Sequence, residues 1–196
     1  MKKIAIPMCT ILLVFILCVI IGFSALSNTY KNLAQLEENI NLQYAQIEAN
    51  LQRRMDLIPN FVEVVKGYAS HEEAVFTEIA EARAQLAGSM ESGDTESISE
   101  ASFKLDNALN RLLVITENYP ELKASEHFTA LQDELAGTEN RITVSRQYYN
   151  EAVLIYNSTR KDGLITVFLA NLMGFEEADY FESDFGSDKA PTFSFD

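Results

Sequence analysis

The side chains with the greatest potential for chemistry lie in one stretch of the chain, residues 53–72. Arg53 and Asp56 are three residues apart, so they can pair on one face of a helix. His71 and Glu72 are adjacent and point in different directions, and no HExxH spacing places two histidines on one side of a metal ion. We therefore interpret the group as a structural corner between helices, with a ligand site as the alternative. Its members are Arg53, Arg54, Asp56, Pro59, Asn60, Lys66, Gly67, Tyr68, His71 and Glu72.

A second set consists of two Tyr-Asn pairs, Tyr149-Asn150 and Tyr156-Asn157, which are seven residues apart. Seven residues make about two helical turns, so each residue type repeats on one helix face. Tyrosines that are buried usually bond their hydroxyl group to a polar partner. We predict that arrangement here, and a peptide-binding groove is the alternative.

The composition excludes several classes of protein. The chain has 29 acidic and 15 basic residues, a net charge of −14, whereas nucleic-acid binding needs clustered Lys and Arg. Two histidines and two cysteines leave little for metal or acid–base chemistry. There is no Gly-rich phosphate loop, nucleophile elbow or Cys-x-x-Cys motif. We predict no catalytic residue, no cofactor and no metal, and no nucleic acid among the partners.

The N-terminal segment from Ile4 to Phe23 is almost wholly apolar and carries no charge. As a helix, its 20 residues would span about 30 Å, the thickness of a hydrocarbon core. A signal peptide cleaved near residue 27 is the alternative, but its apolar core typically has only about 7–15 residues. We therefore predict a permanent anchor, with the lipid bilayer as a partner. Lys2 and Lys3 precede the segment, which favours a single-pass protein of the cell membrane with an extracytoplasmic soluble domain.

Beyond the anchor, apolar residues recur at steps of three and four, which is the period of amphipathic helices. No stretch alternates at period two, so a β-sheet is not expected. The predicted fold is all-α: an N-terminal transmembrane helix followed by an antiparallel bundle of about four long helices. The residues expected to face the core are Leu33, Leu36, Ile40, Tyr44, Ile47, Leu51 and Met55; Phe61, Val65, Tyr68, Val75, Phe76, Ile79 and Leu86; Ala101, Leu105, Ala108, Leu109, Leu112 and Ile115; and Phe128, Leu131, Leu135, Thr138, Ile142, Ser145, Tyr149, Ala152 and Tyr156.

Three breaks separate the predicted helices. Pro59 lacks an N–H group and disfavours helical geometry at the preceding residue, so we predict a corner or sharp kink, with Asp56 able to cap a new helix. The second helix is expected to end near Gly88, because residues 88–97 have loop composition. Ser97 followed by Glu100 predicts a capping box for the third helix. Residues 118–120, Asn-Tyr-Pro, are expected to end it.

Two features follow the last long helix. Residues 164–175 are apolar but too short to span a bilayer, and we expect them either to dock on the bundle or to stay exposed to lipid or a partner. Residues 176–196 contain seven acidic residues and one lysine, which predicts a mostly solvated tail dotted with aromatic side chains. The chain is therefore divided into an anchor (1–27), a bundle (28–175) and a flexible tail (176–196).

Several motifs resemble those of the LemA family, and together they extend over essentially the whole chain. They comprise residues 51–60 (LQRRMDLIPN), 64–72 (VVKGYASHE), 82–83 (AR), 119–124 (YPELKA), 139–142 (ENRI), Arg146, the two Tyr-Asn pairs, and the later pairs at 174–175 (GF), 180–181 (YF) and 190–191 (AP). Three positions depart from the family pattern: Tyr44 stands where Trp is usual, Lys31 replaces an Asn, and Ile165 replaces a Pro.

The resemblance implies a bacterial single-pass membrane protein with an antiparallel helical bundle and no established reaction. It also implies a possible connection to membrane shaping, because some relatives are associated with building internal membrane compartments. The leading hypothesis is a membrane-anchored interaction or scaffold protein, not an enzyme, that presents a groove or its tail to an unidentified protein. Membrane shaping through self-association is the alternative. A ligand- or metal-dependent enzyme centred on His71 is the third hypothesis.

Overall fold

The computed structural model describes residues 8–181. Over that range the chain forms six helices: α1 (Met8–Lys66), α2 (Glu73–Ser92), α3 (Thr95–Thr116), α4 (Pro120–Lys123), α5 (Glu126–Arg160) and α6 (Leu164–Met173). No strand occurs within these residues, so the all-α prediction is confirmed, with one long apolar N-terminal helix followed by a helical bundle. The described chain divides into two compact units. Unit 1 contains residues 8–41 and 152–178, and unit 2 contains residues 42–151 and 179–181.

Unit 1 begins with the apolar part of α1. The side chains from Thr10 to Phe23 are exposed, and the mean hydropathy of this part of the helix reaches 2.7. By length and composition the helix can cross a membrane. Residues 4–7 of the predicted span lie outside the described residues. The helix continues without a break past residue 27 and becomes amphipathic, with Leu33 and Ile40 buried in unit 1.

The remainder of unit 1 is built from the end of α5, from α6 and from the residues that follow α6. Ala152, Val153 and Tyr156 are buried along α5. Gly174 ends α6 in a left-handed conformation, with φ at 80°, which an L-residue with a side chain rarely adopts. The backbone N–H of Phe175 then bonds to the carbonyl of Ala170 at 3.0 Å, so the chain folds back directly after the helix.

The core of unit 2 contains most of the apolar positions predicted for its helices. Tyr68, which was expected to face the core, is 45% exposed, because α1 ends at Lys66 and Tyr68 lies in the turn that follows. Within this unit the long helices supply buried side chains at steps of three and four, as amphipathic helices do. α2 and α3 pack against each other, and the two residues Gly93 and Asp94 that join them require antiparallel neighbours. Members of this core include Ile47, Leu51, Met55, Ile58, Phe61, Val65, Phe76, Ile79, Leu86, Ile98, Leu105, Leu112, Phe128 and Ile142.

The corner predicted at Pro59 is not present. α1 continues through Pro59 to Lys66, and the turn between α1 and α2 lies at residues 67–72. Pro59 has no N–H for the carbonyl of Met55, its partner four residues earlier. Arg83 of α2 supplies the missing donor, because its Nε atom bonds to the Met55 carbonyl oxygen at 2.9 Å. The helix is therefore completed by a side chain that is distant in sequence.

The connection between α2 and α3 is also shorter than expected. α2 extends past Gly88 to Ser92, and α3 begins at Thr95, so most of residues 88–97 are helical. The N-cap of α3 is Asp94, whose Oδ2 atom accepts the backbone N–H of Ser97 at 3.0 Å. Asp94, and not Ser97 as predicted, is therefore the N-cap residue of α3. The predicted end of α3 before Pro120 is confirmed.

Candidate functional site

Arg54 of α1 is the centre of a charged cluster in unit 2. Its side chain is only 6% exposed and pairs with Asp106 of α3. Its Nη1 atom also lies 2.9 Å from Glu139 Oε2 of α5. The guanidinium group therefore connects three helices, and its planar fork suits two carboxylates at once.

The neighbouring Arg53 has a different environment, because its side chain is 58% exposed. It donates to Glu134 Oε1 from Nε at 3.0 Å and from Nη2 at 2.5 Å, and does not pair with Asp56 as the spacing suggested. Asp56 instead accepts a hydrogen bond from Gln52 at 2.8 Å. Arg53 holds the pKa of Glu134 below its usual range, chiefly through these hydrogen bonds.

An open groove of about 450 Å³ lies beside the buried Arg54 and is bordered by α1, α3 and α5 of unit 2. Apolar side chains supply most of its surface, and Phe103 of α3 is 37% exposed there. The amide side chains of Asn107, Asn110 and Gln132 lie among its polar lining residues. An apolar groove with a few fixed polar groups is typical of a binding surface. The principal apolar lining residues are Phe61, Phe103, Leu109, Leu113 and Leu135.

The other residues of the predicted corner lie along the end of α1 and the following turn. Asn60 and His127 line a shallow depression of unit 2. The ammonium group of Lys66 lies 5.1 Å from the centre of the Phe76 ring, which is a cation–π distance. Gly67, Tyr68 and His71 are exposed in the turn, and Glu72 is the N-cap residue of α2. The structure thus separates these residues from the Arg54 cluster by position along the helix.

In unit 1 the second Tyr-Asn pair binds the backbone that follows α6. Asn157 pairs twice with Ala178: its Nδ2 atom donates to the Ala178 carbonyl at 2.8 Å, and its Oδ1 atom accepts the Ala178 N–H at 3.0 Å. The hydroxyl of Tyr156 donates to the Glu176 carbonyl at 2.7 Å. Arg160 donates to the Phe175 carbonyl at 2.9 Å. The amide of Asn157 therefore acts as a neighbouring peptide group would in a sheet.

The first Tyr-Asn pair repeats this arrangement within unit 2. Asn150 exchanges two hydrogen bonds with the backbone of Phe181, both at 2.8 Å, and Tyr149 donates to the Asp179 carbonyl at 3.1 Å. The Phe181 side chain is buried in a T-shaped contact with the Tyr149 ring, with ring centres 5.9 Å apart, and Arg146 lies over the Phe181 ring. The tyrosines are buried and satisfied, as expected, and the partner is the chain's own backbone.

Burial is the main cause of a raised pKa for both Tyr149 and Tyr156. Nearby acidic groups raise these pKa values further: Asp179 acts on Tyr149, and Glu37 acts on Tyr156. Both hydroxyl groups therefore stay protonated at neutral pH and can donate to the backbone.

These bonds change the expectation for the tail. Residues 176–181 were expected to be solvated, but their backbone is held by the two Tyr-Asn pairs and Phe181 is buried. Phe185, Phe193 and Phe195, also predicted to belong to the tail, lie outside the described residues. The division of the chain at residues 27 and 175 stays a prediction.

Sequence reasoning missed three residues of the candidate site. Asp106 and Glu139 complete the Arg54 cluster, and Phe103 lines the groove. Neither spacing nor composition indicates the pairing of Asp106 and Glu139, because the two residues come from α3 and α5 and meet Arg54 only in the fold. No group of three or more His, Cys, Asp or Glu side chains suited to a metal ion occurs within residues 8–181.

Comparisons with known proteins identify the family. The model of the LemA family matches residues 43–195, most of the chain. Two curated relatives, the magnetosome proteins MamQ 1 and MamQ 2 of Paramagnetospirillum magneticum, are each 24% identical to it, over 90% of this chain and 73% of theirs. The magnetosome protein MamQ of Magnetospirillum gryphiswaldense is 23% identical, over 89% of this chain and 72% of its own length. This chain belongs to the LemA family.

Proposed function

We propose that this protein is a membrane-anchored interaction module that acts by binding and carries out no reaction of its own. The observation that carries the proposal is the apolar groove of unit 2 beside a buried Arg54 that pairs with two carboxylates. A guanidinium that is already paired with two carboxylates is suited to holding three helices together and not to proton transfer. The anchor would be the exposed apolar part of α1, which limits the module to partners at a membrane.

The chemistry of the groove favours one kind of partner. Its apolar walls favour a segment with apolar side chains, and its polar lining residues are amides and carboxylates apart from the buried Arg54. Asp106 and Glu139 are among its lining residues, and the whole chain has a net charge of −14. We propose that the groove binds a protein segment that combines apolar side chains with Lys or Arg, because charge complementarity selects such a partner and rejects acidic ones.

A photo-crosslinking amino acid placed at Asn110, on the rim of the groove, tests this proposal in intact cells. The matched control is the same amino acid at Ala84, an exposed position of α2 outside the groove. We expect one defined product from Asn110 and not from Ala84, with the attached partner segment identified by mass spectrometry as apolar and basic. Identical products from both positions, or an acidic partner segment, would contradict the proposal.

Charge substitutions at the same rim position sharpen the test. With the crosslinker moved to Gln132, Asn110→Lys should reduce capture, because a like charge would face the basic partner. Asn110→Asp should preserve or increase capture. Both substitutions are on an exposed residue, so the fold should tolerate them, and equal capture by the two variants would argue against a basic partner.

We also propose that the bundle lies on the extracytoplasmic side of the cell membrane, as the lysines before the apolar segment favour. A cysteine introduced at Asp94, in the exposed turn between α2 and α3, tests this side in a chain whose Cys9 and Cys18 are replaced. Labelling of intact cells by a membrane-impermeant thiol reagent is the expected result. Protection that is lost only after the cells are opened would place the bundle in the cytoplasm.

Membrane shaping through self-association is a second candidate, and two observations favour it. The relatives at 23–24% identity are named as magnetosome proteins, and α6 exposes four large apolar side chains. Full-length protein reconstituted in liposomes should then form oligomers and change the shape of the vesicles. Monomeric protein in unchanged vesicles would exclude this role.

A further inference from the structure

The helix α6 presents one apolar stripe that the core of unit 1 does not cover. Leu164, Ile165, Phe168 and Leu172 are 91%, 74%, 65% and 68% exposed. Their positions fall within about 100° of one another around a helix of 3.6 residues per turn. Ala170, on the opposite side, is the buried residue of the helix. The stripe is therefore a continuous surface and not a set of scattered exposed residues.

No charged residue interrupts this surface, and the basic side chains before it are engaged within unit 1. Residues 163–175 contain neither an acidic nor a basic side chain. Before α6, Arg160 bonds to the Phe175 carbonyl at 2.9 Å and to Asn171 Oδ1 at 3.0 Å. Lys161 pairs with Glu177, which follows the helix. An occupant of the stripe would be recognised by apolar area, because the flanking cations are already engaged.

Contacts within unit 1 place the end of α6 beside the base of the apolar span. The ring of Phe175, two residues after α6, lies 5.7 Å from the ring of Tyr30 in α1. Tyr30 follows Phe23 by seven residues, which is about 10 Å along a helix. Tyrosine is enriched where a transmembrane helix leaves the hydrocarbon core, and Lys31 is the first charged residue after the span.

We infer that α6 lies in the surface of the same bilayer that α1 spans, with its exposed stripe in contact with lipid. Ten residues cannot cross a bilayer, but a short apolar helix can rest with one face in the acyl-chain boundary. This inference rests on the proposed anchoring by α1. It goes further because it gives the chain a second membrane contact and fixes the part of unit 1 that faces the lipid.

The test uses the full-length protein, with Cys9 and Cys18 replaced by Ser, reconstituted in phosphatidylcholine vesicles at less than one protein per vesicle. Single cysteines introduced by Phe168→Cys or Ile165→Cys are labelled with an environment-sensitive fluorophore. Phe23→Cys in the apolar span reports the anchor, and Ser158→Cys, exposed on α5, is the matched control within unit 1. Quenching by brominated lipid reports contact with lipid, and quenching by aqueous iodide reports contact with water.

We expect loss of fluorescence with brominated lipid at positions 165, 168 and 23, and quenching by iodide at position 158. Lipid quenching at 23 combined with iodide quenching at 165 and 168 would overturn the inference and leave the anchor intact. Shielding of 165 and 168 from both quenchers would also overturn it, since a protein surface such as a second copy would then cover the stripe. Absence of lipid quenching at 23 would overturn the anchor and this inference together.

Discussion

The helices α3 and α6 both carry an apolar stripe, but they use it in opposite ways. In α3, Ile98, Leu105 and Leu112 have no exposed surface, whereas the stripe of α6 is 65–91% exposed. α3 carries charges such as Lys104 and Arg111 on its other side, and α6 carries none. In these two helices, charge outside the apolar stripe accompanies burial of that stripe in a core, and the absence of charge accompanies a stripe that is left exposed.

The comparison predicts its largest effect for equal substitutions in the two stripes. Leu105→Ala should lower the free energy of unfolding by about 3–4 kcal/mol, because it leaves a cavity in the core of unit 2. Leu172→Ala, the matched change in α6, should stay within about 0.5 kcal/mol. Urea unfolding of the full-length protein in detergent micelles, followed by circular dichroism, measures both. Equal losses would show that α6 belongs to a core in the same way as α3.

A second, smaller effect should distinguish the two adjacent arginines that hold α1 to its neighbours. Arg54→Ala should lower the free energy of unfolding by about 2–3 kcal/mol. This loss is at or below the usual cost of breaking a buried ion pair, because the two carboxylates left behind are partly exposed and can hydrate. Arg53→Ala, which removes an exposed pair, should cost about 0–1 kcal/mol. The same urea experiment measures both losses of unfolding free energy. A larger loss for Arg53→Ala would mean that the ion pairs of Arg54 do not stabilise the packing of α1 against α3.

The bond from Arg83 to the Met55 carbonyl should contribute about 1–2 kcal/mol, the cost of leaving a partly buried acceptor unsatisfied. Arg83→Met keeps the aliphatic part of the side chain and removes the donor. Pro59→Ala restores the N–H of the helix, so Arg83→Met should be less harmful in that background, by at least about 0.5 kcal/mol. Unfolding measurements on the two single variants and the double variant give this coupling. Additive losses would indicate that Arg83 does not compensate for Pro59.

The smallest effect concerns the segment held by Tyr149 and Tyr156. Their pKa values are raised in the folded protein, so the stability they provide is complete below pH about 10 and is lost as the pH rises through the folded pKa. Tyr149→Phe and Tyr156→Phe should each cost about 0.5–1.5 kcal/mol at pH 8 and should reduce the loss of stability between pH 9 and 11. Urea titrations at several pH values measure this slope. An unchanged slope in both variants would argue against the role of the hydroxyl groups.

The core faces were predictable from the sequence, whereas the places where the chain turns were not. Helical periodicity at Leu33, Ile47 and Leu105 is a local property, and these residues are buried as expected. Pro59 does remove a backbone hydrogen-bond donor, as its sequence position predicted. The predicted corner is nevertheless absent, because Arg83, 24 residues later, replaces that donor. Such compensation depends on tertiary contacts that no spacing rule contains.

The candidate site was predictable to a similar extent. The spacing of the Tyr-Asn pairs predicted buried tyrosine hydroxyl groups with polar partners. The partners are backbone carbonyls within residues 176–181, a segment whose acidic composition had indicated a solvated tail. Backbone groups carry no signal in the side-chain sequence, so this docking could not be read from composition. Arg54 was recognised as part of a site, whereas Asp106 and Glu139 come from two other helices and meet it only in the fold.

The central claim is that the apolar start of α1 is retained as a membrane anchor. The most direct measurement is the intact mass of the mature protein, together with the fraction in which it is found after membranes are washed with alkaline carbonate. We predict a chain that keeps its residues N-terminal to Ser27 and stays with the membranes. A chain that begins after about residue 27, as a cleaved signal peptide would leave, and that is released into the soluble fraction would contradict the claim.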